Sequence, residues 1–360
     1  SFFTPSTFVQ IFSISPMVRL AIPFSSIRDR DRTSRPVFTE NGKSVSSHLK
    51  RLIPLLLSAP AGILLLVAVS ALSGIGHRWV DLLAQFVAPA LAAGIVLTAL
   101  ALLLRRFRVA AVYAAAGLAL LVAVWPQWMP AGNRARHGAP VVRLYSANLW
   151  AGNTEVDTIA RSIAAADADI IILIELGDAP ADRLDTVLAG YPHRFASPRV
   201  VRSGGAAREL IASRYPLTGV GDRPDGLSEV TAVIRTPIGP LNVIGVHLTR
   251  PWPFQYQWGQ ISQVQALARV RSDLGGPVIV AGDFNSVSTA RIGRQVRAEA
   301  GLVPATGWPG TWPAAAPSAV GLTIDQVYRS PDLAFVSRRL GLPTGSDHRP
   351  VITEFTLAAD

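Results

Sequence analysis

Three apolar runs dominate the first third of the chain. Leu52–Leu72 holds no charged residue, Leu82–Leu104 has Gln85 and Thr98 as its main polar side chains, and Val109–Trp125 is shorter and rich in alanine. None shows the polar face that a helix packed on a globular core carries. At about 1.5 Å per residue such runs cover a bilayer core, the last only just. The pattern predicts three transmembrane helices, about 52–72, 82–104 and 109–125, inside a segment running from 49 to 128. Residues 1–48 are rich in Ser, Arg and Pro, show no sustained period and read as a mobile basic tail. A chain that opens on Ser1 rather than Met reads as a fragment, a processed form or a misplaced start.

Beyond a short linker at 129–140 the pattern changes to that of a globular α/β domain, 141–360. Val141–Leu149, Asp169–Glu175, Pro277–Gly282 and Val351–Leu357 are short apolar runs that predict strands. Val230–Arg235 and Leu241–Leu248 predict a hairpin turning at Ile238-Gly239-Pro240. Val156–Ala166 and Gln257–Leu274 predict helices. About 220 residues suffice for an independent core.

Composition sharpens this division. Hydrophobic residues make up 49% and charged residues 16%, an unusual balance for a wholly soluble protein. With no cysteine, disulfides, thiolate metal sites and cysteine nucleophiles are excluded. The net charge of +10 would ordinarily suggest nucleic-acid binding, but residues 137–360 contain 20 Arg, no Lys and 20 acidic residues. The excess therefore lies wholly ahead of the globular domain, where it flanks the apolar runs. Lys43, Lys50, Arg51 and the trio Arg105, Arg106 and Arg108 fall on one side if all three runs span. That places the tail in the cytoplasm and the globular domain outside, on the periplasmic side of an inner or plasma membrane. Arg134 and Arg136 pull weakly the other way, while Trp125 and Trp128 suit an interfacial belt.

The chemistry concentrates at strand ends. Asn148 closes the first strand, Glu175 the second, His247 the hairpin, and Asp283 with Asn285 the run Val278–Gly282; Asp325 follows Leu322–Ile324, and Ser346-Asp347-His348 precedes the last strand. Singly, each has an ordinary reading: a turn asparagine, a solvated strand end, a satisfied core histidine, an Asx turn, a helix cap, a loop. Together, several strands delivering carboxylate, amide and imidazole groups are hard to explain as six unrelated turns. Hard divalent cations such as Mg²⁺ take carboxylate and carbonyl oxygens while leaving positions for phosphate. Phosphoester hydrolysis needs an oriented water, stabilised nonbridging oxygens and help for the leaving group.

The segments Tyr145-Ser-Ala-Asn148, Ile172-Leu-Ile-Glu175, Ser213-Arg-Tyr-Pro216, Gly245-Val-His247, Gly282-Asp-Phe-Asn285, Ile324-Asp-Gln-Val327 and Ser346-Asp-His348 occur in an order that resembles the endonuclease/exonuclease/phosphatase superfamily, the deoxyribonuclease I-like phosphoesterases. The resemblance covers roughly Val141–Leu357 and leaves the apolar runs outside it. It implies a four-layered α/β/β/α sandwich whose strand-end loops form one mouth. It further implies Glu175 as principal Mg²⁺ ligand (Mn²⁺ is an alternative), with Asn148 and Asp347 on the metal side and His348 as base or phosphate contact oriented by Asp325. Asp283 and Asn285 would position water and stabilise the transition state, and His247 would bind phosphate or assist the leaving group.

Three functions stay open. One is an outward-facing, membrane-anchored phosphodiesterase or phosphatase acting on a lipid headgroup or small phosphoester. The second is a nuclease acting on external DNA or RNA, which the neutral domain disfavours. The third is a catalytically inactive membrane protein. Arg214, with Arg199, Arg202 and Arg208, and Trp252 in the aromatic stretch Arg250–Trp258 are candidate substrate contacts. Nothing in the pattern fixes an oligomeric state, although Gly94 and Gly117 are small enough for close helix packing.

Overall fold

The computed structural model describes residues 59–202, 205–221, 226–251 and 253–359. The expected tail, the start of the first apolar run and Trp252 lie outside the described residues.

Two βαβ units build the globular part. The strands β1 (Val142–Asn148) and β2 (Ile170–Gly177) run parallel, joined by helix α5 (Val156–Ala166). Further along, β8 (Gly239–His247) and β9 (Val278–Asp283) run parallel, joined by α8 (Gln257–Asp273). Around the first unit β3 (His193–Ala196), β4 (Val200–Arg202), β5 (Gly205–Ser213), β12 (Leu333–Leu340) and β13 (Val351–Leu357) complete a seven-stranded sheet, ordered β12-β13-β1-β2-β5-β3 with β4 also on β5. Around the second unit β6 (Leu217–Val220), β7 (Ser228–Thr236), β10 (Val303–Pro304) and β11 (Asp325–Arg329) complete a six-stranded sheet, ordered β10-β11-β9-β8-β7-β6.

The hydrophobic pattern explains the layering. In Ile170-Ile171-Ile172-Leu173-Ile174 every side chain is fully buried, as expected of a strand covered on both faces. Ile170, Ile172 and Ile174 point into a core shared with Val230, Val243 and Ile279 of the other sheet. Their alternates Ile171 and Leu173 meet Ile159 and Ile163 of α5. On the opposite outer face Val264, Leu267 and Val270 of α8 join Ile292 and Val296 of α9 (Arg291–Ala300) over Val278 and Val280. Helix, sheet, sheet and helix are therefore stacked in a mixed α/β fold.

Among the described residues four helices precede this domain: α1 (Ala59–Ser73), α2 (Arg78–Ala84), α3 (Val87–Leu103) and α4 (Phe107–Trp128). They depart from three uniform spans. Among the described residues only α4 is by itself long and apolar enough to cross a membrane; α1 and α2 are bent by 110° across a short break, and α3 is a shorter apolar helix. The expected second span is broken at Gln85-Phe86, because Asp81 and Gln85 are turned into the globular domain rather than along an apolar helix. Gly94 and Gly117 do pack closely, but within the chain: a Cβ on Gly94 would lie 3.7 Å from the Gly117 Cα and 3.5 Å from Leu64. The linker is stapled rather than free. Arg136 N–H donates to the Leu357 carbonyl at 2.9 Å, Ala359 N–H to that of Arg134 at 2.8 Å, and Ala135 bridges Ala358.

The end of β9 depends on one glycine. Gly282 sits at φ +146°, and a Cβ there would meet the Val246 carbonyl oxygen at 2.0 Å. Gly282→Ala is expected to destabilise the chain by about 3 kcal/mol, read as a lower midpoint in denaturant titration of the detergent-solubilised protein. An unchanged midpoint would contradict this close approach.

Candidate active site

The parallel strands of both sheets deliver their last residues to one mouth, the usual location of a site at the carboxyl ends of such strands. In the first sheet Asn148 pairs with Ile174 at the ends of β1 and β2, so Glu175 comes just beyond it. In the second, His247, Asp283 and Asp325 form one row, since His247 pairs with Asp283 and Asp283 with Asp325. Asn148 Nδ2 crosses between the sheets, donating to Asp283 Oδ2 at 3.0 Å.

Glu175 is aimed into the mouth by local distortion. The pairing of β2 with β5 shifts register between Leu173 and Leu176, and Glu175 takes a left-handed φ of +52°. A bulge of this kind bends a strand and redirects one side chain. Glu175 Oε2 accepts the Ala151 N–H at 3.2 Å, and Oε1 lies 3.4 Å from His247 Nε2. Asn285 is also left-handed, at φ +48°. Its N–H donates to Asp283 Oδ1 at 2.8 Å and its Nδ2 to the Leu248 carbonyl at 2.9 Å.

His348 arrives from the loop before β13. Its Nδ1 lies 2.9 Å from Asp325 Oδ2, and its Nε2 lies 3.8 Å from Asp283 Oδ2. A carboxylate on Nδ1 fixes the ring and directs Nε2 toward the mouth. Burial alone would lower the imidazole pKa, but the Asp325 and Asp283 carboxylates outweigh it and raise it to about 10. Burial raises the Asp283 carboxyl; the Asp325 and Glu175 charges add to that, and His348 pulls it back.

Asp347 stands at the rim. It is exposed, with Oδ1 4.0 Å from His348 Nε2 and Oδ2 accepting the Trp312 indole N–H at 3.1 Å. Asp325 opens β11 rather than ending a strand, which is what aligns it beside Asp283. Arg214 is elsewhere. It follows β5 where Ser213 pairs with Ile170, the opposite end of β2 from Glu175, and it binds Asp167 at 2.6 Å. Arg199 and Arg208 are engaged by Asp178.

A cavity of about 390 Å³ opens beside Glu175 and His247, lined also by Ser228, Thr249, Arg250 and Gln255. Arg250 opens the aromatic stretch that follows His247 in the sequence, and it lines this cavity beside that histidine. None of the ion pairs among the described residues brings a lysine or arginine to Glu175, Asp283 or Asp325. Three clustered acids with no lysine or arginine partner suit a hard divalent ion. One ligand atom each from Asp283, Asp325 and His348 lie within 4.8 Å of one another, but Asp325 and His348 already bind each other.

The endonuclease/exonuclease/phosphatase family pattern matches residues 145–348. No curated protein sequence matches the chain. Among solved structures, an endonuclease/exonuclease/phosphatase from Beutenbergia cavernae is 21% identical, with a TM-score of 0.50 over 61% of this chain and 72% of that one. The human Nocturnin catalytic domain with bound sulfate is 19% identical, with a TM-score of 0.49 over 65% and 98%. Sphingomyelinase C from Streptomyces griseocarneus is 18% identical, with a TM-score of 0.44 over 60% and 99%. The match takes in more than half of the sequence and both rows of strand-end residues, and the chain belongs to the endonuclease/exonuclease/phosphatase family and is a phosphoric ester hydrolase.

Proposed function

We propose that the chain is a membrane-anchored, Mg²⁺-dependent phosphoesterase, its catalytic domain on the extracytoplasmic side, acting on a lipid headgroup or small phosphoester. The observation that carries the hydrolytic reading is the junction of the two rows: Asn148 and Glu175 from one sheet meet His247, Asp283 and the Asp325–His348 pair from the other. Glu175 and Asn148 would hold the Mg²⁺, with Asp347 contributing from the rim. Bound there, the ion would supply charge neutralisation for the phosphoryl oxygens.

The chain's own residues do the rest. His348, oriented by Asp325, accepts a proton from the water as its oxygen attacks phosphorus. Asp283 and Asn285 fix that water and the developing pentavalent centre, and His247 donates toward the phosphate or the departing oxygen. The P–O bond to the leaving group breaks as the bond to water forms. His348 can accept only when the carboxylate field that raises it is offset, so its basicity is tied to the divalent charge.

Membrane attachment is supported by the outward faces of the helices. Ile63, Val69, Ile95, Val96, Leu103, Leu118 and Val122 are all more than half exposed, an apolar belt larger than soluble proteins tolerate. Helices α1, α3 and α4 are read as spans, with α2 lying between the first two at the surface. The basic Arg105–Arg108 turn then faces the cytoplasm. The nuclease reading draws on Phe254, Tyr256 and Trp258, exposed near the mouth and suited to stacking. Against it, Arg199, Arg208 and Arg214 are already held by acids, leaving little basic footprint for a polyanion.

Glu175→Gln and His348→Ala are each expected to lower Mg²⁺-dependent hydrolysis of bis(p-nitrophenyl) phosphate by about 10²–10⁴-fold. Chelation should abolish it and Mg²⁺ restore it; undiminished turnover in both variants would remove this site from the chemistry. A panel of plasmid DNA, RNA, phospholipid vesicles and sugar phosphates separates the substrate readings, DNA cleavage with inert lipids favouring the nuclease. A C-terminal reporter active only in the cytoplasm would overturn the outside placement. The metal-free protein should also lose stability with alkali. His348 is raised from 6.5 to about 10, so its contribution is complete below the lower value and lost as pH rises through the higher. Its melting temperature is expected to fall between about pH 7 and about pH 10, and to fall less in Asp325→Asn.

A further inference from the structure

The polar side chains turned inward from the helical segment converge on one short stretch of the catalytic domain. Asp81 and Gln85, at the end of α2, and Gln127, near the end of α4, are all buried. Gln85 Oε1 accepts the Val287 N–H at 2.9 Å, and its Nε2 donates to Ser286 Oγ at 3.3 Å. Asp81 Oδ1 accepts the Arg291 N–H at 2.7 Å, and Oδ2 accepts from Gln257 Nε2 at 3.0 Å. Gln127 Oε1 accepts the Thr289 hydroxyl at 3.3 Å. The Arg291 guanidinium returns a bond to the Gly76 carbonyl between α1 and α2. Every residue from Ser286 to Arg291 thus lies at or beside a bond to the helices, and this stretch begins directly after Asn285.

Two features make these bonds more than adhesion between packed parts. First, α9 has no side-chain cap of its own at Ala290, and the Asp81 carboxylate supplies from another element the acceptor its first turn lacks. Second, Asn285 holds a left-handed backbone whose neighbours must restrain it, and the next residue is the one Gln85 grips. A second contact approaches another member of the same catalytic row. Gly307 N–H donates to the Gln127 carbonyl at 2.7 Å, and the Gly307 carbonyl accepts the hydroxyl of Thr323, two residues before Asp325. The helices therefore hold the loop that leaves Asn285 and the loop that leads to Asp325.

We propose that Asp81, Gln85 and Gln127 are positioning residues of the phosphoester site, and that the helical segment completes the catalytic apparatus as well as anchoring it. The idea rests on the hydrolase reading of the site but on neither the substrate nor the membrane orientation. Gln85 is the sharpest probe, because its loss strips partners from both Ser286 and Val287 without touching any group that meets substrate.

The test uses the full chain in detergent micelles, with Gln85→Ala, Gln85→Glu and the parent. Gln85→Glu keeps the acceptor for Val287 N–H. Turnover of bis(p-nitrophenyl) phosphate with Mg²⁺ is measured per folded molecule, alongside amide hydrogen exchange across 285–291. Gln85→Ala is expected to lower kcat about tenfold to a hundredfold, since misplacement by about 1 Å costs this much, with KM changed less than about threefold. Exchange should quicken within 285–291 and not in β13, and Gln85→Glu should recover most of the loss. Unaltered exchange in 285–291, or a kcat per folded molecule equal to the parent's, would overturn the proposal. Should Gln85→Ala fail to fold, Thr289→Val removes the Gln127 bond alone and is judged by the same exchange pattern. A parent chain inert toward this substrate would count against the hydrolase reading, while exchange at these amides would still decide the clamp.

Discussion

The architecture turns on negative charge gathered where water is scarce. Glu175, Asp283 and Asp325 sit together at the junction of two sheets, and no lysine or arginine pairs with them among the described residues. Such a group is costly to bury and persists only with donors around it. The donors are two amides and one histidine: Asn148 reaching across to Asp283, Asn285 turned back on the same acid, and His348 fixed by Asp325. They satisfy the oxygens, and the one imidazolium among them offsets only part of the charge of three acids. What remains uncancelled is the attraction for a cation, and through it for a phosphoryl group.

That arrangement strains the chain locally. Glu175 and Asn285 both hold left-handed backbones, and Trp150 at φ +60° joins them near the mouth. Residues with side chains hold such conformations only where the surroundings over-determine them. The surroundings here are the fully buried isoleucine run of β2, the helices over both outer faces and, for Asn285, the polar side chains of α2. Rigidity is concentrated beside the chemistry.

Much of this was legible in the sequence. The apolar runs that end in Asn148, Glu175, His247 and Asp283 are strands because they are buried on both faces, and a continuous apolar run is the signature of that. The catalytic-row residues could be named from the same pattern, since a polar group at the end of a buried strand must emerge somewhere. Other elements were hidden for physical reasons. Strand β5 reads Gly-Ala-Ala-Arg-Glu-Leu-Ile-Ala-Ser, whose alanines and glutamate favour helix, and only pairing with its neighbours makes it a strand. Strand β12 carries an irregularity between Phe335 and Ser337 that destroys its alternation. Arg214 looked free to meet phosphate because Asp167, 47 positions away, is its neighbour only in the fold. Gln85 looked like a tolerated polar residue in an apolar run, and its partners lie about 200 residues downstream.

The stapled linker has a consequence for reach. A catalytic domain on a loose tether can sweep a volume around its anchor and collect substrate at varied heights. Here Arg134–Arg136 is laced to the last strand, and Asn133 Nδ2 donates to the Pro331 carbonyl at 2.6 Å, so no slack intervenes between α4 and the sandwich. The orientation of the mouth relative to the helices is therefore set by the linker's own backbone bonds.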